Sequence, residues 1–310
     1  MTRRQKTKEK NISTLSALTC LGLAGLMILF SREMKDGVLK GIQFSLFTLI
    51  PTLFPFFILS DLWACSFLVN ENGVIGRFFK KAFGINPSAA SAFLSGLICG
   101  FPIGVKTASD LYNAGKITKE EFERLSGFVN NPSIAFIISG VGAGILGDIR
   151  LGILLYISTV FSSVATGIIF RRTYHTQAKS SVISRQKFNL VNSIQKAGMT
   201  SVVVSSYIIF FSGVIGICSS LIKNEIFLAI TSSFLEVGSA TMCIKNCAHT
   251  CPEIMPILLA FALGFSGLSV HLQAFSFFPE GASKIKYLFM KLIQGMISAI
   301  FVFLFSTFFI

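Results

Sequence analysis

The sequence predicts an all-α polytopic membrane protein with about seven to nine transmembrane helices, of which one or two are re-entrant or broken. Hydrophobic residues make up 52% of the 310 positions and 33 residues are phenylalanine, more apolar surface than a soluble core of this size needs. Uncharged runs about as long as the ~20 residues that cross a bilayer recur along the chain. Eight such runs are Asn11–Ser31, Gly41–Ser60, Ala82–Val105, Leu125–Gly147, Leu151–Phe170, Ala197–Ile222, Ile254–Pro279 and Leu292–Ile310. A ninth, Ile226–Ile244, is interrupted only by Glu236.

The net charge of +13 does not indicate nucleic-acid binding, because the basic residues lie beside apolar runs. Five basic residues lie in Thr2–Lys10 and five in Arg171–Lys187, as is typical of cytoplasmic loops of membrane proteins. The apolar run that follows the first cluster is long and has no small-residue cleavage site, so it predicts an anchor with a cytoplasmic N-terminus rather than a cleaved signal.

The charge distribution divides the chain into two halves. We expect one integral membrane domain over residues 1–310, with a basic cytoplasmic tail at 1–10. A first half at 41–170 and a second half at 190–310 are joined by a basic cytoplasmic linker at 171–189.

The first segments are expected to form two spans. Asn11–Phe30 crosses the membrane, and Ser31–Asp36 forms a short outer turn of mixed charge. Gly41–Ser60 returns, and Pro51 and Pro55 should kink it because each proline deletes a backbone hydrogen bond of the helix.

The run Ala82–Val105 either crosses the membrane or enters and returns on the same side. If it crossed, the basic loop Arg171–Lys187 would fall outside, so the positive-inside rule favours a re-entrant hairpin. Asp110–Arg124 then forms short amphipathic helices at the cytoplasmic surface, and Thr118 with Glu121 matches a capping box.

The stretch from Ser95 to Pro132 is apolar at both ends and polar in the middle. Three glycines spaced four residues apart would form one flat helix face that allows close backbone approach; they are Gly96, Gly100 and Gly104. Pro102 lies within that face and should break the helix near Gly100–Gly104. Such a break survives at membrane depth only where protein or a water-filled cavity satisfies the freed backbone groups.

Short sequence matches indicate an internal repeat, although such matches also arise by chance in apolar sequence. The matching pairs are Ile42-Gln43 with Ile194-Gln195, and Ser95-Gly96-Leu97 with Ser266-Gly267-Leu268. Interrupted segments in two halves are typical of transporter repeats. Ile226–Ile244 would then be a second re-entrant segment, which places three lysines on the cytoplasmic side; they are Lys284, Lys286 and Lys291.

Polar residues at membrane depth, together with the proline break, form the candidate substrate site. They are Gly100, Pro102, Lys106, Asn130, Asn131, Glu236, His271 and Gln273. Several also have a structural interpretation: Lys106 at the end of its run could reach the headgroups. Asn131 could cap a helix, Glu236 could be an internal hydrogen-bonded carboxyl, and His271 could be a packing residue.

A lysine, helix amino ends and amide side chains suit a small polar or anionic solute, and Glu236 and His271 could handle protons. No phosphate loop Gly-x4-Gly-Lys-Ser/Thr occurs, so ATP hydrolysis would need a partner chain. The three histidines form no HExxH motif, and no Gly-x-Ser-x-Gly elbow occurs. We therefore expect that this protein is not an enzyme.

Three cysteines lie close to His249 and are candidate metal ligands; they are Cys243, Cys247 and Cys251. On a helix they would share one face, but Cys-x3-Cys-x3-Cys matches no known zinc or iron–sulfur spacing. We therefore predict neither a metal nor a cofactor.

The segment GFPIGVKTASDLYNAGKITKEEFERLSGFVNNPSIAFIISGVG and the later GLSVHLQ resemble the YlbJ-type family of sporulation integral membrane proteins. This family is related to the nucleoside-recognition, or Gate-domain, membrane proteins. The resemblance covers roughly residues 41–147 and 264–273.

The resemblance implies a permease that moves dipicolinate, a flat aromatic dicarboxylate, across the outer forespore membrane. Its Gate-domain relatives imply an alternative, a permease for nucleosides or other small solutes. A second alternative is a non-transporting membrane subunit of a sporulation complex. Partners would be the solute, the bilayer, and a second copy of the chain or other sporulation membrane proteins.

Overall fold

The computed structural model describes residues 21–66, 73–172, 189–247 and 252–309; the regular structure in these ranges is helical, with no strand. The α-helices are α1 Ser31–Phe44, α2 Ile50–Ser66, α3 Val74–Phe83, α4 Ala90–Cys99, α5 Ile103–Asn113, α6 Lys119–Val129, α7 Ile149–Ile169, α8 Leu190–Leu221, α9 Glu225–Leu235, α10 Val237–Asn246, α11 Ile254–Phe265, α12 Gly267–Phe275 and α13 Lys284–Phe309. Two π-helices span Ser45–Leu49 and Ala135–Leu146, and a 3-10 helix spans Pro87–Ala89.

The predicted class, an all-α polytopic membrane protein, is confirmed. Five helical segments among the described residues are long and apolar enough to cross a membrane: Ser31–Leu59, Ile149–Ile169, Leu190–Leu221, Ile254–Phe275 and Lys284–Phe305. A sixth is the pair Val74–Phe83 and Pro87–Cys99, which bends by 104°. Large apolar side chains remain exposed on the outer faces, including Phe47 at 79% and Phe303 at 63%, as expected of surfaces that face lipid.

Five to six candidate spans in the described residues is fewer than the seven to nine that the uncharged runs predict. The first predicted span, Asn11–Ser31, lies largely outside the described residues. Leu125–Gly147 is divided between α6 and the second π-helix, and Ile226–Ile244 is divided between α9 and α10. These two runs are the broken segments that the prediction allowed for, since a run that is broken in the middle supplies two short helices.

The predicted outer turn at Ser31–Asp36 is wrong, since these residues form the first turns of α1. The turn is absent because α1 packs closely on α8 along small residues. A Cβ on Gly37 would lie 2.9 Å from the Cα of Gly213, and a Cβ on Gly41 would lie 2.9 Å from the Cα of Ile209. Arg32, Lys35 and Asp36 are exposed, whereas Glu33 is half-buried and its backbone carbonyl lies against Gly216 of α8.

The distortion predicted at Pro51 and Pro55 takes the form of a π-helix at Ser45–Leu49, with Pro55 remaining inside α2. Local π geometry is one of the ways in which a helix accommodates a proline. The hydroxyl of Thr52 donates a hydrogen bond of 2.7 Å to the carbonyl of Thr48.

The predicted capping box at the start of α6 is confirmed. The hydroxyl of Thr118 accepts from the amide of Glu121 at 3.2 Å, and the Glu121 carboxylate accepts from the amide of Thr118 at 2.9 Å. Glu121 also accepts from the amide of Asn86 at 3.1 Å. One buried carboxylate thus joins the start of α6 to the turn that follows α3.

Candidate functional site

The first helix break lies where the glycine and proline pattern predicts it. α4 ends at Cys99, Gly100 adopts φ 83° and ψ −173°, and α5 begins at Ile103 directly after Pro102. A backbone with these angles is accessible essentially to glycine alone. Gly96 and Gly104 lie on the two sides of the break, and both pack against the carbonyl of Val129 at the end of α6.

A second helix break lies in the same half of the chain and contacts the first. α6 ends at Val129 and residues 130–133 form no helix before the π-helix that begins at Ala135. Gly100 contacts this segment so closely that a Cβ on it would lie 2.7 Å from the amide nitrogen of Ser133. The two breaks therefore meet through backbone atoms.

The second half of the chain contains another pair of breaks. α9 and α10 are separated by Glu236, which has an extended backbone with φ −153° and ψ 125°. α11 and α12 are separated at Ser266–Gly267, where φ is 79° and 75°. A Cβ on Gly267 would lie 3.1 Å from both the amide nitrogen of Glu236 and the carbonyl oxygen of Leu235, so these two breaks also meet.

A small cavity of about 20 Å³ lies between the two pairs of breaks. Its polar lining consists of Glu236, Ser269 and Gln273. The hydroxyl of Ser269 and the amide oxygen of Gln273 are buried without a hydrogen-bond partner. The apolar lining comes from both halves and is formed by Leu49, Leu53, Phe57, Phe101, Phe136, Val204, Ile208, Val237 and Val270. Buried polar groups are normally satisfied, so these two atoms are available to a ligand.

Glu236 is 1% exposed and its carboxylate binds the start of α10. One oxygen accepts from the amide of Gly238 at 2.7 Å, and the other accepts from the amide of Ser239 at 2.5 Å. This is the hydrogen-bonded internal carboxyl considered as the structural interpretation of Glu236. The same carboxylate also lines the cavity, so a solute there would contact a helix cap that holds the break in place.

Asn130 and Asn131 are fully buried and belong to a polar network beside the first pair of breaks. The Asn130 side chain donates to the Tyr287 hydroxyl at 2.7 Å, and that hydroxyl lies 3.2 Å from Nδ1 of His271. The Asn131 oxygen accepts from the Gln294 amide at 2.7 Å. The network therefore ties the segment 130–133 to α12 and α13.

Seven of the eight predicted site residues fall into three groups, and Lys106 lies apart from them. Glu236 and Gln273 line the small cavity together, whereas Asn130, Asn131 and His271 lie in the adjoining network. Gly100 and Pro102 form the first break and flank Phe101, which lines the cavity. Lys106 is not brought to these residues: its side chain is 52% exposed and lies 3.4 Å from Asp110 one turn later.

Lys291 differs from Lys284 and Lys286, with which its charge groups it on the cytoplasmic side, because it is fully buried; the side of the membrane stays a prediction. Its amino group donates to the carbonyl of Asn130 and to the side-chain oxygen of Gln294, both at 2.8 Å. A signal for this was present in the sequence. Polar residues recur every three to four positions along the otherwise apolar α13, which is the period of one helix face; they are Tyr287, Lys291, Gln294 and Ser298.

A larger cavity of about 570 Å³ lies at the other end of α10. Lys40, Lys245 and Asn246 contribute to its lining. The amino group of Lys245 donates to the carbonyl of Ile145. Ser239 also lines this cavity, and its amide donates to Glu236, which lines the smaller one.

The cysteine cluster lies partly outside the described residues, which include neither His249 nor Cys251. Cys243 accepts from the hydroxyl of Ser232 at 3.6 Å, and the thiol of Cys247 donates to the carbonyl of Cys243 at 3.4 Å. The absence of a metal stays a prediction. The internal repeat also stays a prediction. Its two Ser-Gly-Leu triplets occupy different structural positions, since one lies within α4 and the other forms the break between α11 and α12.

The fold and the site define a polytopic helical membrane protein in which two pairs of broken helices meet near a small, largely apolar cavity that three polar side chains also line. The sporulation integral membrane protein YlbJ of Bacillus subtilis (strain 168) is 25% identical to this chain over 297 residues, covering 82% of this chain and 73% of that protein. This similarity supports assignment of the chain to the YlbJ-type family. No protein-family model matches the chain, so a relation to Gate-domain proteins stays a prediction. No solved structure matches it.

Proposed function

We propose that this protein is a secondary transporter that moves a small polar or anionic solute across the membrane by alternating access. The observation that carries the proposal is the meeting of four helix breaks around one cavity that contains unpaired polar atoms. Secondary transporters commonly build their substrate site from discontinuous helices of two structural halves. A helix break inside a bilayer is costly unless protein or a cavity satisfies its backbone, so four of them indicate a function.

The larger cavity supports an anionic solute. Its volume of about 570 Å³ falls within the range of small-molecule sites. Lys40 and Lys245 line it, and no acidic side chain does so among the described residues. Dipicolinate is the first candidate, because a flat dicarboxylate suits two cations and because the relative is a sporulation protein. The bacterial cell membrane, and in sporulation the outer forespore membrane, would be its location, with the N-terminus in the cytoplasm.

A transport cycle would require the small cavity to open. About 20 Å³ holds only a molecule of about the size of water, so a dicarboxylate can pass only if the half-helices separate. The contact between Gly100 and Ser133 and the contact between Gly267 and Glu236 join the half-helices that would separate. ATP hydrolysis by this chain is not part of the proposal.

Uptake by purified protein in liposomes tests the proposal. We expect liposomes that contain the protein to take up more labelled dipicolinate than liposomes without it. We expect Gln273→Leu and Glu236→Gln each to reduce this uptake by about tenfold or more, which corresponds to ~1.4 kcal/mol. Gln43→Leu and Glu280→Gln are matched controls, since both residues are exposed and lie outside the two cavities.

Three outcomes distinguish the alternatives. Uptake of nucleosides but not of dipicolinate would show that the proposed solute is wrong and that the proposed transport activity is right. Uptake that the two cavity variants do not change would place the path elsewhere. A folded protein that transports none of these solutes would favour a non-transporting subunit of a sporulation complex.

A further inference from the structure

Lys291 is a buried lysine that the proposed substrate site does not use. It lies within the candidate span Lys284–Phe305 and is 0% exposed. Its two acceptors, the carbonyl of Asn130 and the side chain of Gln294, are both uncharged. A lysine in a membrane interior usually has a carboxylate partner or a function. The buried carboxylate of Glu236 is bound instead by the amides at the start of α10.

The amino group of Lys291 has two oxygen partners, one in the segment after α6 and one on its own helix, α13. The last carbonyls of a helix lack intrahelical partners and carry partial negative charge. At the end of α6 the carbonyl of Phe128 accepts from Asn131 and Ser163, and the carbonyl of Asn130 accepts from Lys291. The side-chain oxygen of Asn130 is buried without a partner.

The position of this site matters because it is a helix break. In secondary transporters, unwound carbonyls and the C-terminal ends of half-helices are where the coupling cation binds. Here the carbonyl of Asn130 belongs to the segment 130–133, which contacts Gly100 of the other break through Ser133. A positive charge at Asn130 therefore bears on the geometry of both breaks.

We propose that Lys291 is a built-in cation that occupies the place of an exchangeable monovalent cation at the end of α6, so that this protein needs no Na⁺ for transport. The ammonium group is carried by α13 and stays with the protein during the cycle. Lys286, one turn earlier, differs: it is partly exposed and pairs with Glu123 at 3.3 Å, as expected of a lysine near the end of a helix. The inference rests on the proposed transport function.

The first test uses the unaltered protein. Uptake in liposomes and the melting temperature in detergent should be the same in sodium chloride and in choline chloride at equal ionic strength. Uptake that requires Na⁺ would overturn the inference while leaving the transport proposal intact. Absence of uptake in either salt would contradict the transport proposal, and the melting temperatures would still test the cation site.

The second test removes the cation and supplies it again. Lys291→Ala deletes three methylene groups and the ammonium, which together correspond to propylammonium. We expect this variant to lose about tenfold or more of its uptake and to melt at a lower temperature, and we expect propylammonium or Na⁺ to restore part of both. Choline chloride at the same concentration as the propylammonium salt is the salt control. Lys106→Ala is the variant control, because Lys106 is exposed and paired with Asp110.

A Lys291→Ala protein that neither Na⁺ nor propylammonium stabilises would assign Lys291 a packing role and overturn the inference. If that variant cannot be purified in a folded form, the comparison of sodium and choline with the unaltered protein still decides the matter. Equal effects of propylammonium on Lys291→Ala and Lys106→Ala would also count against it.

Discussion

Gly100 and Ser133 hold two helix breaks together at a distance that leaves no room for a side chain on Gly100. A Cβ there would lie 2.7 Å from the amide nitrogen of Ser133 and 2.9 Å from its Cβ. The φ of 83° at Gly100 adds a second constraint, because other residues reach this region only with strain. The contact lies beside Phe101, which lines the small cavity.

Gly100→Ala should therefore destabilise the protein by about 2–4 kcal/mol, the sum of backbone strain and overpacking. Thermal unfolding of the purified protein in detergent measures this effect. Gly198→Ala is the control, because Gly198 lies within α8 with no atom within 4 Å of a Cβ, and alanine favours a helix by about 1 kcal/mol over glycine. Equal melting temperatures for the two variants would show that the break tolerates a side chain.

Lys106→Ala should change uptake by less than about twofold, because an exposed ion pair such as that with Asp110 contributes little. Uptake measured beside Glu236→Gln, which alters a buried residue of the cavity lining, provides the contrast. A tenfold loss in Lys106→Ala would restore Lys106 to the substrate path and would indicate that α5 moves toward the cavity.

Arg124 links two helices and should be important for stability rather than for transport. It is 6% exposed, and its guanidinium donates to the carbonyls of Phe83 at 3.4 Å and Gly84 at 3.3 Å at the end of α3. Arg124→Ala should cost about 2–3 kcal/mol, since hydrogen bonds from charged donors are worth more than neutral ones. The free energy of unfolding of Arg124→Ala, compared with that of Arg150→Ala at an exposed position, checks this. A similar loss of stability in both variants would contradict a role for Arg124 in joining the two helices.

Cys243 reports on whether the larger cavity contains water. Its thiol lines that cavity beside Lys40 and Lys245, whereas Cys99 is 3% exposed within the bundle. In variants that retain one of these cysteines, a membrane-impermeant thiol reagent should modify Cys243 several-fold faster than Cys99, and the solute should slow the reaction. Equal rates, or no effect of solute, would remove this cavity from the path.

The capping box of α6 and the first break could be predicted because each depends on residues close in sequence. Thr118 and Glu121 satisfy the start of their own helix, and Gly100 with Pro102 disrupts the helix in which both lie. Glu236 was found for the same reason, since one charge in an apolar run is conspicuous. Such signals operate within a few residues of chain.

Lys291 shows where sequence reasoning failed. Its charge places it with Lys284 and Lys286, but its environment is set by Asn130, about 160 residues earlier in the chain. Ser269 lies two residues before His271, and only packing shows that its hydroxyl lacks a partner. The exposure of Lys106 likewise depends on how α5 packs. The sequence places Lys106 beside the break whether its side chain faces the cavity or is exposed.

The sequence by itself determined that this is a helical membrane protein, that a helix breaks at Gly100–Pro102, and that Glu236 interrupts an apolar segment. These features follow from composition, backbone chemistry and local spacing. Only the tertiary structure decided that Gly100 meets Ser133, that Gly267 meets Glu236, and that the breaks surround a cavity. The physical reason is that a break must be satisfied by groups outside its own helix, and which groups these are depends on packing between distant parts of the chain.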